Sequence, residues 1–372
     1  MDTSTILHSG KKVYVAFELG NKTWRLAFSD GQRPRQKVVA ARDTKAVLAE
    51  IAKTKVKFGL PPDAAVVSCY EAGRDGNWLH RFLTSQGITN VIVDSASIEV
   101  NRRARRAKTD RMDAAGLLSL LVRHERGEKD AWRTVRVVEE AQEDERRLHR
   151  ERERLVKEHS QHRTRIRALL ATQGVAVGGQ VTREGVTEIR DWQGKALAAH
   201  LADELGREAE RLSVVAGQID LLDGQIMEQQ KTGTSPIARQ SAKLARLRAI
   251  GPIGARTLSA EFFGWRTFRN GKEVGALAGL TGTPYNSGQR VRDQGISKAG
   301  NRRVRAIMVE LAWGWLRYQP QSGLSEWYRS KYGSGGRARR KGVVALARRL
   351  LIALWRYAQH DVVPAGANLR TA

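Results

Sequence analysis

The sequence predicts an α/β fold that gives way to an all-α remainder: a mixed sheet with helices, a helical coiled-coil middle, then an α-helical C-terminal region. Three observations predict it. Short β-rich apolar runs alternate with helical stretches from Val13 to Asp94. From Val135 the composition turns strongly charged and helical. Further on, Leu212, Val215, Ile219, Leu222 and Ile226 recur at spacings of 3, 4, 3 and 4, the seam of a coiled coil.

The strands come first. Val13 to Phe17 is a β-rich run ending at Glu18, and Trp24 to Phe28 follows after Gly20-Asn21-Lys22, a hairpin connection. A third strand is expected near Lys37 to Ala40. Asp43 then caps a helix running to about Thr54, with Val47, Leu48 and Ile51 on one face. Ala64 to Cys69 is a strand running into Tyr70-Glu71. The next helix carries Trp78, Leu79 and Phe82 and stops at Gly87, and Val91 to Val93 is a buried strand ending in Asp94.

Lys108-Thr109-Asp110-Arg111-Met112-Asp113 places two carboxylates three residues apart, directly after five cations in eight residues: Arg102, Arg103, Arg105, Arg106 and Lys108. On a helix from Asp110 to Leu121 both acids share one face, roughly 5–6 Å apart at Cβ. Two readings compete for the pair alone. It is an acidic first turn favoured by the helix dipole, or a site where a hard divalent ion such as Mg²⁺ sits between carboxylates and phosphate oxygens. Sites in α/β sheets form at the carboxyl ends of strands, where Glu18 and Glu71 stand. An RNase H-type sheet would bring these four acids together for metal-ion phosphodiester chemistry.

The chain's 372 residues allow two or three domains, and 41% hydrophobic residues support folded cores. Lys plus Arg number 65 against 39 Asp plus Glu, a formal charge of +26. That excess predicts a polyanionic partner, nucleic acid ahead of an anionic membrane surface. No apolar run is long enough to span a bilayer, and residues 1–12 lack a signal core. Cys69 is the lone cysteine, which excludes an internal disulfide and a multi-cysteine zinc site. A soluble, cytoplasmic protein that handles nucleic acid follows.

The middle helices are expected to pair antiparallel, or to carry a dimer contact, with a break at Gly174 to Gly179 between them. Beyond Thr232, Gly251-Pro252-Ile253-Gly254 is either a helix-hairpin-helix turn that offers backbone N–H groups to a phosphate or a tight turn between helices. Ser287 precedes a glycine in a loop rich in Gly, Pro and Asn, flanked by Arg290, Arg292 and Lys298, with Arg302 and Arg303 opening the next helix. Composition alone makes it a surface serine; the cations around it also suit a hydroxyl attacking a phosphate. The final helices, Arg302 to Tyr318 and Lys341 to Gln359, carry Trp313, Trp315 and Trp355 as core. Lys331 to Lys341 reads as a Gly/Arg loop, and the chain from about Val362 as a disordered tail.

The motifs CYEAG, AKTDRMDA, LRAIGPIGARTLSAE, LAGLTGTPYNSGQR and GISKAGNRRVR, in this order around a charged helical middle, resemble the DEDD-type transposases of the bacterial IS-one-ten family of insertion sequences, including its IS-eleven-eleven branch. The resemblance covers nearly the whole chain. It implies a RuvC-like, RNase H-fold catalytic domain over residues 1–130 and a helical linker over 131–231. A transposase domain with a catalytic serine would then occupy 232–361, with a tail over 362–372. By the same resemblance, Glu71, Asp110 and Asp113 match three of the family's four Mg²⁺-binding acids. The fourth is usually aspartate, and the matching position is Glu18. Ser287 matches the serine that forms a phosphoserine link to DNA. The resemblance further implies guidance by a noncoding bridge RNA. It also implies a homo-oligomer, dimer or tetramer, in which the acids of one subunit work with the serine of another. The alternatives are a junction-resolving nuclease that uses water, and a non-catalytic nucleic-acid-binding protein of the same fold.

Overall fold

The computed structural model describes residues 12–73, 75–98, 110–176, 178–287, 290–333 and 336–370, and they fall into two compact units divided between Val138 and Glu139.

In the first unit, β1 (Val13–Leu19), β2 (Thr23–Ser29) and β3 (Pro34–Ala40) form an antiparallel meander. β4 (Val66–Glu71) and β5 (Thr89–Val93) extend it in parallel from β1, giving the order β3-β2-β1-β4-β5. This mixed sheet is compatible with an RNase H-like fold. Alternation along the strands separates two cores. Val15, Phe17, Leu26 and Phe28 pack with Val47, Ile51 and Phe58 of α1 (Thr44–Phe58) and Leu79 and Leu83 of α2 (Trp78–Ser85). The small residues Ala16, Ala27 and Cys69 face the other way, letting Ala114, Leu117 and Leu121 of α3 (Asp110–Glu125) settle onto the sheet. Asp43 caps α1 by accepting from the Ala46 N–H, and Gly59 closes it in the left-handed conformation at φ 66°. Leu121 is fully buried, so Leu121→Ala is expected to cost about 2–5 kcal/mol, read as a lower urea midpoint by tryptophan fluorescence.

The second unit begins with α4 (Glu140–Glu145) and a long helical arm: α5 (Arg147–Ala171) and α6 (Ala199–Thr232). Leu155 packs with Val215 and Leu222, while Ile166 and Leu170 pack with Leu205 and Leu212, so the helices run antiparallel. The Arg152–Asp223 pair and the Arg165–Glu204 pair at 2.6 Å keep the same order. Of the seam residues, Leu212, Val215, Leu222 and Ile226 are buried and Ile219 is partly so.

α7 (Pro236–Ala245) and α8 (Pro252–Leu258) follow, and α8 runs on into a wide π-type turn, Ser259–Phe263. After α9 (Gly271–Leu277) comes a β-hairpin, β6 (Gly282–Ser287) with β7 (Arg290–Ile296), then α10 (Arg302–Tyr318), α11 (Gly323–Tyr332) and α12 (Gly336–His360). One large core joins these helices through Leu258, Phe262, Met308, Trp315, Leu350 and Leu354.

Several expectations are corrected here. The C-terminal region is not wholly helical: the Gly/Pro/Asn stretch around Ser287 is a strand pair. α11 fills a stretch for which the sequence predicts no element, and its last two residues enter the supposed Lys331–Lys341 loop; Ser322 caps it by accepting from the Ser325 N–H. Of the supposed Lys331–Lys341 loop, Arg339, Arg340 and Lys341 lie in α12. Trp313 is 40% exposed while Trp315 is buried, since residues two apart point to nearly opposite sides of a helix. The Arg339 guanidinium stands 5.9 Å from the Trp313 ring. The expected disordered tail is tied down as far as Arg370. The Gly323 N–H donates to Ala365 O at 3.0 Å, the Asn368 N–H to Gln319 Oε1 at 2.9 Å, and the Arg370 N–H to Arg246 O at 2.6 Å.

Candidate active site

The β1–β4 register runs from Val13 opposite Val66 to Phe17 opposite Tyr70. The next residues, Glu18 and Glu71, are therefore neighbours at the carboxyl ends of adjacent strands, one strand spacing of about 4.8 Å apart. Two residues earlier on each strand, Ala16 and Cys69 pack against α3. The period of two puts both glutamates on that same face.

α3 has a fixed direction across this face. Lys12, just before β1, meets Glu125 at the end of α3 with an Nζ–Oε2 distance of 3.3 Å, so the helix runs back towards the carboxyl end of β1. Sixteen helical residues reach about 24 Å, and seven strand residues about 23 Å. The helix start, with Asp110 and half-buried Asp113, therefore belongs to the sheet edge that carries Glu18 and Glu71. Arg25 stands opposite Glu18 in the β1–β2 register, with its Nε buried and without a hydrogen bond.

Among the described residues, no three His, Cys, Asp or Glu side chains stand close enough to hold a metal ion. The Asp110 side chain lies outside them, as do Arg102, Arg103, Arg105, Arg106 and Lys108. The donor chemistry at the edge fits a hard divalent cation, because every candidate ligand is a carboxylate. The one soft donor nearby, Cys69, is fully buried, and burial pushes its thiol far up.

Ser287 ends β6, opposite Arg290, and Tyr285 stands opposite Arg292. Those four side chains lie outside the described residues. The base of the hairpin is well anchored. The Ser297 N–H donates to Thr281 O at 2.8 Å, the Lys298 N–H to Gly279 O at 3.1 Å, and the Asn301 N–H to Leu277 O at 2.8 Å. Gly300 has φ 129°, and a Cβ there would collide with the Leu277 carbonyl. Lys298 is exposed at the hairpin base with φ 57°. Arg303 pairs with Glu153 of α5 at 2.5 Å and Arg302 with the same carboxylate at 3.8 Å, so both are partly neutralised within the protein.

One group that sequence reasoning missed underlies this hairpin. Asn301 caps α10 by accepting from the N–H groups of Arg303 at 2.9 Å and Val304 at 3.1 Å, and its Nδ2 donates to Glu261 Oε2 at 3.0 Å. Glu261, on the π-type turn, is buried and also meets His149 Nε2 at 2.9 Å and Arg150 at 2.7 and 3.0 Å. Burial alone would raise its pKa; the bonds from His149 and Arg150 outweigh that and hold the carboxyl far below its ordinary range. Burial lowers His149, opposed by Glu261. The only sequence signal was an acid inside the apolar run Ser259-Ala260-Glu261-Phe262-Phe263.

Residues 8–173 match the DEDD transposase domain of IS110 elements, and residues 241–326 match the family described as Transposase IS116/IS110/IS902. A Sinorhizobium fredii protein named as a transposase, y4rJ, is 38% identical over 376 residues, covering 96% of this chain and 95% of its own. The chain belongs to the IS116/IS110/IS902 family of transposases. A second transposase of that organism, y4qE, is 29% identical over 71% of this chain and 62% of its own. The transposase for insertion sequence element IS1328 of Yersinia enterocolitica is 25% identical over 48% of this chain and 53% of its own. Membership makes this transposase a DNA-cleaving and rejoining enzyme. DEDD-type domains typically use divalent metal ions. Among the described residues, no helix is long and apolar enough to cross a membrane.

Proposed function

We propose that this transposase cuts and rejoins DNA by pairing a metal-binding acid set, Glu18, Glu71, Asp110 and Asp113, with a serine nucleophile, Ser287. The observation that supports the reading most is the edge described above: strand register brings Glu18 beside Glu71, and the direction of α3 brings Asp110 and Asp113 to the same end. In this reading residues 1–130 supply the acids, 131–231 the helical linker and 232–361 the serine. Mg²⁺ bound there would act as a Lewis acid on the charge growing at the phosphate oxygens.

The chain's own residues do the rest. Ser287 Oγ forms a bond to the phosphorus as the bond from phosphorus to the leaving sugar oxygen breaks, and that oxygen leaves with a proton. Attack by a sugar hydroxyl of another strand reverses the step, so the phosphodiester is conserved and the serine is released. Arg290, Arg292 and Lys298, with Arg302 and Arg303, offset phosphate charge near the serine. Arg102, Arg103, Arg105, Arg106 and Lys108 hold nucleic acid beside the acids. A noncoding RNA from the element guides the choice of donor and target DNA, and the working form is a homo-oligomer, dimer or tetramer.

The test is trapping under denaturing conditions with Mg²⁺ and RNA transcribed from the flanking DNA. Wild-type protein is expected to give a covalent protein–DNA adduct, and Ser287→Ala neither adduct nor joined product. Free ends without an adduct would mean that water attacks, as in a junction nuclease. DNA binding that never leads to cutting would mean a non-catalytic protein. Either outcome removes the nucleophile.

A further inference from the structure

The helical arm carries a cavity of about 260 Å³. His159, Arg163 and Arg167 line it from α5, the Gly178–Gly179 turn closes one wall, and Ile166 and Leu212 lie at its buried base. The spacing i, i+4, i+8 aligns the three basic residues on one face of the helix. Other arginines of the arm are neutralised in place: Arg152 pairs with Asp223, Arg154 with Glu158 at 3.0 Å and Arg165 with Glu204. Among the described residues, no carboxylate pairs with Arg163 or Arg167. Like charges at i, i+4 repel, so two unpaired guanidinium groups over one cavity are an arrangement that an anion between them relieves. Guanidinium forks suit phosphate, and the exposed Gly178–Gly179 backbone leaves room for a chain to approach. The base is apolar, which suits a sugar and not a fully hydrated ion.

We propose that this cavity is a subsite for a nucleic-acid backbone, with one phosphodiester between Arg163 and Arg167 and the adjoining sugar against Ile166 and Leu212. The proposal deepens the reading of the chain as a nucleic-acid enzyme and does not depend on the role of Ser287.

The test therefore uses full-length protein carrying Ser287→Ala, so that binding is measured without strand chemistry. Fluorescein-labelled DNA duplex and single-stranded RNA serve as separate probes. Arg163→Gln/Arg167→Gln is expected to weaken at least one probe by about 10-fold or more and to reduce its log K–log salt slope by about 1, for the one phosphate the pair would hold. The probe affected tells which strand uses the subsite. The charge-matched control Arg154→Gln/Arg165→Gln, which removes ion-paired arginines, is expected to cause a clearly smaller loss, and Arg163→Lys/Arg167→Lys, which keeps the charge but loses the guanidinium fork, to bind between wild type and the glutamine pair. Circular dichroism checks that the arm is folded. If the test pair weakens neither probe more than the control pair does, the subsite is overturned. Displacement of the probe by millimolar inorganic phosphate at constant ionic strength would make it a small-anion site, which also overturns the proposal.

Discussion

Asp113→Asn is expected to yield a protein that still folds and binds DNA but cuts it about 10²–10³-fold more slowly, the scale of losing one electrostatic group aimed at a reacting centre. The substitution keeps the side chain's shape and removes the charge. Its structural cost is small, because a first-turn acid adds only about 0.3–1 kcal/mol through the helix dipole. Activity and stability therefore separate. Asp110→Asn and Glu71→Gln are expected to act in the same direction, and the losses not to add, since ligands of one ion act as a unit. A second readout needs no turnover. A divalent ion that binds only the folded state raises stability by mass action, so Mg²⁺ is expected to raise the urea midpoint of the wild-type protein more than that of Asp113→Asn. Wild-type cutting by Asp113→Asn, with an unchanged metal response, would sink the acid set.

The acid edge was partly legible in the sequence. Runs such as Val13 to Phe17 and Val66 to Tyr70 show their strands by composition, and an acid follows each. Composition carries no register, however. That Glu18 stands beside Glu71 depends on β1 pairing with β4 in parallel, and that Asp113 shares their edge depends on the direction of α3. Both are tertiary facts.

The serine region was harder to read. Gly282, Pro284, Asn286 and Gly288 spell turn chemistry in any local window, while the β6–β7 pairing rests on backbone bonds that any residues supply. The tail hid for the same reason: Arg370 and Ala365 are held through main-chain atoms. Glu261 showed only as an acid in an apolar run, because its partners are distant in sequence, 112 residues away at His149 and 40 at Asn301.

That separation is why Glu261→Ala is expected to have the second largest effect. The substitution strands buried His149 and the Asn301 amide without their shared acceptor and leaves Arg150 unpaired. Breaking a buried pair from one side costs about 3–5 kcal/mol. Arg150 is 38% exposed, and solvent screening of its share puts the expected loss at about 3 kcal/mol. Glu261→Gln keeps the volume and an acceptor oxygen, so it should lose less.

Acid should reproduce part of this loss in the wild type. Both groups have folded pKa values below their ordinary ones, so the unfolded chain binds more protons, and stability falls as pH falls. The His149 share is complete above its ordinary 6.5 and declines as pH drops below it. The Glu261 share is complete above 4.5 and declines below that. Urea midpoints measured from pH 7 downward are expected to decline in two stages, and the lower one to be smaller in Glu261→Gln, where only the shares of other depressed carboxylates such as Asp30, Glu50 and Glu208 remain. Because Asn301 ties Glu261 to the base of the Ser287 hairpin, Glu261→Gln is also expected to reduce covalent adduct formation more than DNA affinity. A variant as stable as wild type at pH 7, with an unchanged acid profile, would show that the carboxylate neither holds the arm to α10 nor steadies the hairpin.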